Sequence, residues 1–102
     1  MATPKVTISS IHFNADEKLI KYIEEKIAKL TSVYDNIIEA EVYLRLEKDS
    51  NTENKKAEIK LGIPGNDLFA KKNSRTFEVA VEGTVEALRR QLKKRKEKVL
   101  GY

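Results

Sequence analysis

Two segments of the sequence alternate strictly between apolar and polar residues, and this pattern constrains the fold more than any other feature. In the first segment, EAEVYLRLEK, the alternating apolar positions are Ala40, Val42, Leu44 and Leu46. In the second, KAEIKLGIP, they are Ala57, Ile59, Leu61 and Ile63. Because successive side chains of a strand point to opposite faces, each segment predicts a strand with one buried and one hydrated face. The polar linker DSNTENK between them predicts an antiparallel hairpin with a loose loop.

Two further strands are predicted on either side of this hairpin. Lys5 to Phe13, KVTISSIHF, is apolar and β-branched, with Val6 and Ile8 on one face. After the hairpin, Pro64-Gly65-Asn66 supplies turn chemistry, since proline fixes φ and glycine accepts positive φ. A shorter strand around Leu68 to Lys71 follows this turn.

Two amphipathic helices complete the pattern. In DEKLIKYIEEKIAKL, apolar residues recur at helical spacing, with Asp16 or Asn14 as the N-cap residue and Glu17 in the first turn. These apolar residues are Leu19, Ile23, Ile27 and Leu30. A last helix is predicted from about Thr76 to about Val99, although Gly83 weakens it by roughly 1 kcal/mol relative to alanine. Its apolar stripe comprises Phe77, Val81, Val85, Leu88 and Leu92.

The predicted order is strand, helix, three strands, helix. A chain of 102 residues is long enough for one domain with one core, so we expect a single domain over residues 1–102. Burying both helix stripes on the apolar face of the sheet gives an α+β fold, a two-layer sandwich with two helices on one face of a four-stranded, mostly antiparallel sheet. The other sheet face is predicted to stay hydrated; it carries Glu41, Tyr43, Arg45, Glu58 and Lys60.

The residue types needed for catalysis or metal binding are scarce. The chain has no cysteine and one histidine, His12, which is interpreted as a residue at the end of a strand. No glycine-rich phosphate loop and no marked carboxylate pair is present, so we expect neither an enzyme nor a cofactor or metal site. The lack of cysteine, of a signal-like N-terminus and of a membrane-length apolar run predicts a soluble cytoplasmic protein.

Positive charge is concentrated in the last third of the chain. Residues 1–70 contain ten Lys and Arg against twelve Asp and Glu, whereas residues 71–102 contain ten against four, for a net charge of +4. On a helix of about 100° per residue, most of the late cations fall on the side away from Leu88 and Leu92, with Lys98 near its edge and Arg95 close to the apolar stripe. The first helix has a basic edge of its own, formed by Lys18, Tyr22, Lys26 and Lys29.

If the two helices lie side by side, these cations flank one groove that suits a phosphate backbone. Aromatic residues that could stack on bases are few, so the pattern favours recognition of structured RNA by shape and phosphate. Three other interpretations stay open. The cations could belong to a merely solvated helix face, to a protein contact or, least favoured, to a membrane-binding surface that would compete with the sheet for Leu88 and Leu92.

Four segments resemble, in order, those of a known family. They are KLIKYIEEKIAKL, EVYLRLEK, AEIKLGIPGNDLFAK and FEVAVEGTVEALRRQLKKRKEK. Together they are similar to the short ribosome hibernation promoting factors, relatives of the ribosome-associated inhibitor once called sigma-factor modulation proteins. The resemblance covers about Val6 to Lys98. One departure lies at the start of the last helix, where the family often has an acidic residue, a hydrophobic residue and tyrosine, and this chain has Thr76, Phe77 and Glu78.

The resemblance implies a β-α-β-β-β-α fold shaped like a double-stranded RNA-binding domain. It also implies binding in the decoding channel of the small (30S) ribosomal subunit, against 16S ribosomal RNA where tRNA and messenger would sit. The family's basic positions fall on Lys26, Lys29, Arg90, Lys94 and Lys98. The charge pattern adds Arg89, Lys93 and Lys96 as RNA-binding residues and makes Lys18, Tyr22 and Arg95 candidates for additional contacts.

The expected function is therefore inhibition of translation by a non-enzymatic protein that preserves idle ribosomes in stationary phase or under stress. Long family members carry a C-terminal dimerisation domain, which this chain is expected to lack, and pairing of ribosomes is left open. Two alternatives are a free-standing binder of structured or double-stranded RNA and a protein-interaction module. No membrane or small-molecule partner is expected.

Overall fold

Four strands and two helices follow one another along the chain in the predicted order, strand, helix, three strands, helix. The computed structural model describes residues 4–47 and 53–99, with side chains described as far as Lys96. The elements are β1 (Lys5–Ile11), α1 (Glu17–Leu30), β2 (Glu39–Leu46), β3 (Lys55–Ile63), β4 (Asn66–Ser74) and α2 (Phe77–Val99).

The strands form one sheet in the order β1-β2-β3-β4. Strands β1 and β2 are parallel, and the pairings β2–β3 and β3–β4 are antiparallel. Val42 lies between Ile8 and Ile59 in this register, so the apolar positions of neighbouring strands share one face. The prediction of a mostly antiparallel sheet is confirmed.

Both helices pack on that apolar face. The buried side chains form one cluster, to which α1 contributes the four residues that the helical spacing predicted: Leu19, Ile23, Ile27 and Leu30. Helix α2 lies on β3 and β4 and contacts α1. The predicted two-layer α+β sandwich is therefore confirmed, with its hydrated sheet face opposite the helices.

The two helices begin at the same end of the sheet. Asp16 caps α1, since its Oδ1 accepts a hydrogen bond of 2.8 Å from the backbone N–H of Leu19. Thr76 caps α2 in the same way, accepting a bond of 3.1 Å from the N–H of Val79. The rings of Phe13 and Phe77 stack with centroids 4.4 Å apart. This stack holds the entry to α1 against the start of α2.

Two strand boundaries differ from prediction. Strand β1 ends at Ile11 and not at Phe13, because His12 has φ of 71°, a left-handed conformation that interrupts the strand. Strand β4 is longer than the predicted Leu68 to Lys71 and runs from Asn66 to Ser74. Its polar end pairs with the start of β3 through backbone hydrogen bonds, which the hydrophobic pattern does not report.

The β3–β4 turn consists of two residues, because Ile63 pairs with Asn66. Pro64 precedes Gly65, whose φ is +80°, the combination typical of a type II turn. Side chains at such a φ crowd the backbone.

Gly65→Ala should therefore lower the free energy of unfolding by about 1 kcal/mol, measured by urea denaturation. Asn66→Ala is the matched control and should change stability by less than about 0.5 kcal/mol, since its exposed side chain makes no core contact. Equal losses in the two variants would show that the left-handed conformation of Gly65 is not needed.

Within residues 4–47 and 53–99, no helix is long and apolar enough to cross a membrane.

Candidate nucleic-acid interface

A groove of about 360 Å³ lies between α1 and α2. It is lined by Lys26, Lys29, Leu30, Ser32, Val33, Glu82, Val85, Glu86 and Arg89. Its floor is apolar, formed by Leu30, Val33 and Val85, whereas three cations stand along its walls. The structure thus brings Lys26 and Lys29 of α1 together with Arg89 of α2, as the charge pattern predicted for side-by-side helices.

On the α1 side of the groove, one aromatic ring supports a lysine. Tyr22 is half-buried against the core, and the Lys26 ammonium lies 5.4 Å from the centroid of its ring. This cation–π contact contributes about 0.5–1 kcal/mol at an exposed site. Tyr22 therefore acts first as a core residue that positions Lys26. Lys29, in the last turn of the helix, is exposed.

The α2 side of the groove carries carboxylates as well as cations. Glu86 Oε1 lies 3.6 Å from Arg89 Nη1 and 3.8 Å from Arg90 Nε. Arg90 is largely exposed and the other two side chains are about half-exposed, so these ion pairs contribute little to stability. Their effect is to hold two arginines beside the groove. Glu86 was not among the predicted site residues, although its spacing of three and four from the arginines is the signal for such pairs.

The cations of α2 divide between two sides of the helix. Arg89 lines the groove and therefore faces α1, and at about 100° per residue Lys93 and Lys96 follow on that side. Gln91 marks the opposite side, since its Nε2 donates a hydrogen bond of 3.1 Å to the carbonyl of Phe69 in β4. Arg90 and Lys94 lie between the side of α2 that faces solvent, away from the sheet, and the side that faces β4.

Two predicted contacts, Lys18 and Arg95, lie apart from the groove. Lys18 is exposed on α1 but does not line the groove. Arg95 is half-buried on the sheet side: its Nη2 lies 3.8 Å from the place where a side-chain carbon of Gly65 would be, and its Nε is buried without an acceptor among the described residues. The placement of Arg95 close to the apolar stripe is confirmed. Lys98 lies on α2, but its side chain is outside the described residues.

The sheet face opposite the helices has balanced charge. Lys56 Nζ lies 3.1 Å from Glu58 Oε1, and Lys60 Nζ lies 3.6 Å from Asp67 Oδ2. Tyr43 on the same face donates from its hydroxyl to Glu41 Oε2 at 3.3 Å. On the helix side, Lys93, Lys94 and Lys96 of α2 form no ion pair with another described side chain.

The described residues contain no group of three or more histidine, cysteine or carboxylate side chains that could hold a metal ion. His12 is exposed at the end of β1, as predicted.

Comparison with known proteins gives concordant matches. A sequence profile described as sigma 54 modulation protein / S30EA ribosomal protein matches residues 6–100. A ribosome hibernation promoting factor of Pseudomonas putida is 34% identical over 94 residues, which cover 92% of this chain and 88% of that protein. A protein of the same name from Escherichia coli strain K12 is 27% identical, covering 93% and 96% respectively.

Two solved structures share the fold. The N-terminal domain of Protein Y from Thermus thermophilus superposes with a TM-score of 0.76 at 22% identity, covering 91% of this chain and 98% of that one. A ribosomal subunit interface protein from Coxiella burnetii gives a TM-score of 0.80 at 18% identity, covering 90% and 97%. At these identities the likeness concerns the fold alone.

Proposed function

The chain belongs to the sigma 54 modulation protein / S30EA ribosomal protein family, and from that membership we propose that it is a ribosome hibernation factor. In this proposal it binds the small ribosomal subunit in the decoding channel, against 16S ribosomal RNA. There it blocks the binding of tRNA and messenger and preserves idle ribosomes in stationary phase or under stress. It acts in the cytoplasm, where ribosomes are.

The observation that carries the proposal is the groove between the helices, with Lys26 and Lys29 on one wall and Arg89 on the other. Phosphate oxygens bind lysine and arginine through charge-assisted hydrogen bonds, and each neutralised phosphate releases condensed counterions. Arg90, Lys93, Lys94 and Lys96 extend the basic surface along α2, and Lys98 remains a predicted contact.

Binding proceeds by exchange of partners at Glu86. In the free protein this carboxylate pairs with Arg89 and Arg90. A phosphate that approaches from solvent offers each guanidinium a stronger, bidentate partner, so the arginines turn outward to the RNA. The fold has principal extents of 47 × 24 × 18 Å, and a body of this size excludes other ligands from the path that it occupies. Inhibition therefore needs no chemical step.

Sedimentation with purified small subunits tests the proposal. We expect the protein to co-sediment with them at low salt and to reduce translation when added to a cell-free system. Short duplex RNA in excess should not displace it, which separates this function from free-standing binding of double-stranded RNA. Failure to co-sediment at low salt, or unchanged translation at saturating protein, would refute the proposal.

The salt dependence of that binding is a separate prediction. About six phosphate contacts give a slope of about −5 in the logarithm of the affinity against the logarithm of the salt concentration. The slope is measured by repeating the sedimentation titration over a series of potassium chloride concentrations. A slope near zero would indicate docking on ribosomal protein without phosphate contacts.

A further inference from the structure

The two edges of the sheet differ in how they are protected against pairing with a further strand. At the β4 edge, Gln91 of α2 donates a hydrogen bond of 3.1 Å from its Nε2 to the carbonyl of Phe69. Strand β4 also carries three charged residues, Asp67, Lys71 and Lys72. Charged side chains and contacts from a helix are two means by which natural sheets avoid edge-to-edge association. The β4 edge is therefore protected.

The β1 edge lacks such protection between Val6 and Ser10. These five residues include no charge, proline or glycine, and among the described strands β1 pairs with β2 alone. The Lys5 N–H donates a hydrogen bond of 3.3 Å to the carbonyl of Ile38, just before β2. Backbone groups alternate in direction along a strand, so those of Val6, Ile8 and Ser10 point to the open edge. Within the described part of the chain, the N–H and C=O of these three residues have no strand partner.

Apolar surface lies beside this open edge. Val6 and Ile8 are only partly buried, although they belong to the apolar face of the sheet. A groove of about 170 Å³ runs between β1 and α1, lined by Pro4, Val6, Glu24, Ile27 and Ala28. It lies on the side of α1 opposite to Lys26 and Lys29, which line the groove shared with α2. A strand added at β1 would therefore bury apolar area and leave the groove between the helices open.

We propose that β1 pairs antiparallel with β1 of a second copy of the chain, with Ile8 on the two-fold axis. In this register Ile8 lies opposite Ile8 of the second copy, and Val6 lies opposite Ser10. Every open N–H and C=O of these residues then has a partner in the other strand. The half-buried Ile8 side chains meet across the axis and bury apolar area there. This self-association is independent of the proposed function.

Charge and chain geometry select this register over its neighbours. Lys5 falls opposite Ile11, so no like charges face each other across the pair. A shift by two residues one way would place Ser10 opposite Pro4, which has no N–H to donate. A shift the other way would bring His12 into the pair, and its φ of 71° ends the strand. The strand is therefore complementary to itself in one register.

The paired form joins two four-stranded sheets into one of eight strands. All four helices lie on one face of it, because the two-fold axis of an antiparallel pair is perpendicular to the sheet. A single strand pair buries less area than the roughly 1,200 Å² of a small stable interface. We therefore expect a reversible dimer with a dissociation constant on the order of 100 μM.

Sedimentation equilibrium from about 10 μM to about 1 mM protein tests this association. Ser10→Pro removes an N–H at the open edge and keeps the bonds between β1 and β2, because proline is tolerated where the N–H faces solvent. Ser10→Ala is the matched control, since it retains the N–H and the Ser10 side chain is exposed. We expect the natural protein and Ser10→Ala to dimerise alike, and Ser10→Pro to dimerise at least tenfold more weakly. Monomers of the natural protein throughout the series, or equal association of the proline variant, would overturn the proposal.

Disulfide formation tests the register and does not depend on the proline variant. The natural sequence has no cysteine. Ile8→Cys brings two thiols together on the two-fold axis, where Cα atoms about 5.5 Å apart suit a disulfide. Thr7→Cys is at a more exposed position, but its Cα atoms lie roughly 7–8 Å apart, diagonally across the pair, beyond the usual span of a disulfide. We expect Ile8→Cys to crosslink at least tenfold faster under mild oxidation. Equal rates, or faster crosslinking of Thr7→Cys, would show that β1 does not pair in this way.

Discussion

Replacing Lys29 and Arg89 together with glutamate is expected to weaken binding to small ribosomal subunits by at least about a hundredfold, since several phosphate contacts act together in one groove. Each substitution removes a cation from the wall of the groove and adds a carboxylate beside Glu82 and Glu86. The groove then repels phosphate from both sides. Binding is measured by sedimentation titration at constant low salt.

The matched control is Lys60→Glu with Lys71→Glu on the opposite sheet face, which changes the net charge by the same amount. Both lysines are exposed on strands, and we expect their reversal to change the affinity by less than about fivefold through long-range repulsion alone. Because Lys60 pairs with Asp67 and Lys71 lies opposite Glu58, the control variant loses some stability, so both double variants are assayed below their unfolding temperatures. Equal losses of affinity in the two would show that net charge, and not the groove, determines binding.

Replacing Leu88 with alanine is expected to lower the free energy of unfolding by about 3 kcal/mol and the midpoint of thermal unfolding by about 15 °C. Leu88 is 0% exposed in the core beneath α2, one residue before Arg89. Truncation leaves a cavity where the helix meets the sheet, which the surrounding close-packed side chains only partly fill. Urea denaturation measures the loss.

Val79→Ala on the same helix is the control for Leu88→Ala. Val79 is 56% exposed, so its truncation should change the unfolding free energy by less than about 0.5 kcal/mol. Below its unfolding temperature, the Leu88→Ala protein should still bind small subunits, because the cations of α2 are retained. A loss of stability no larger than that of Val79→Ala would contradict the packing described for α2.

The sequence predicted the fold because its strongest patterns report burial directly. The period-two alternation in β2 and β3 and the spacing of Leu19, Ile23, Ile27 and Leu30 in α1 are consequences of which side chains face the core. The sequence offered Asp16 or Asn14 as the N-cap residue of α1, and the structure shows that Asp16 makes the capping bond. The chain length, the order of the elements and the positions of their apolar residues together indicated that both helices pack on one face of the sheet.

The details of the site were harder to predict, because they depend on tertiary contacts. Helical geometry placed the α2 cations on the exposed side, but only the position of α1 decides that Arg89 and not Arg90 lines the groove. Strand β4 is longer than predicted because its polar end pairs with β3 through backbone hydrogen bonds. Such pairing leaves no pattern of apolar residues in the sequence. The contact of Arg95 with the β3–β4 turn depends on where α2 crosses the end of the sheet.

An electron cryo-microscopy map of the small subunit bound to this protein tests the central claim most directly. We expect density in the decoding channel, with the groove between α1 and α2 and the basic end of α2 against ribosomal RNA. The sheet face opposite the helices should be turned away from the RNA. Density at a different place on the subunit, or the sheet face against the RNA, would contradict it.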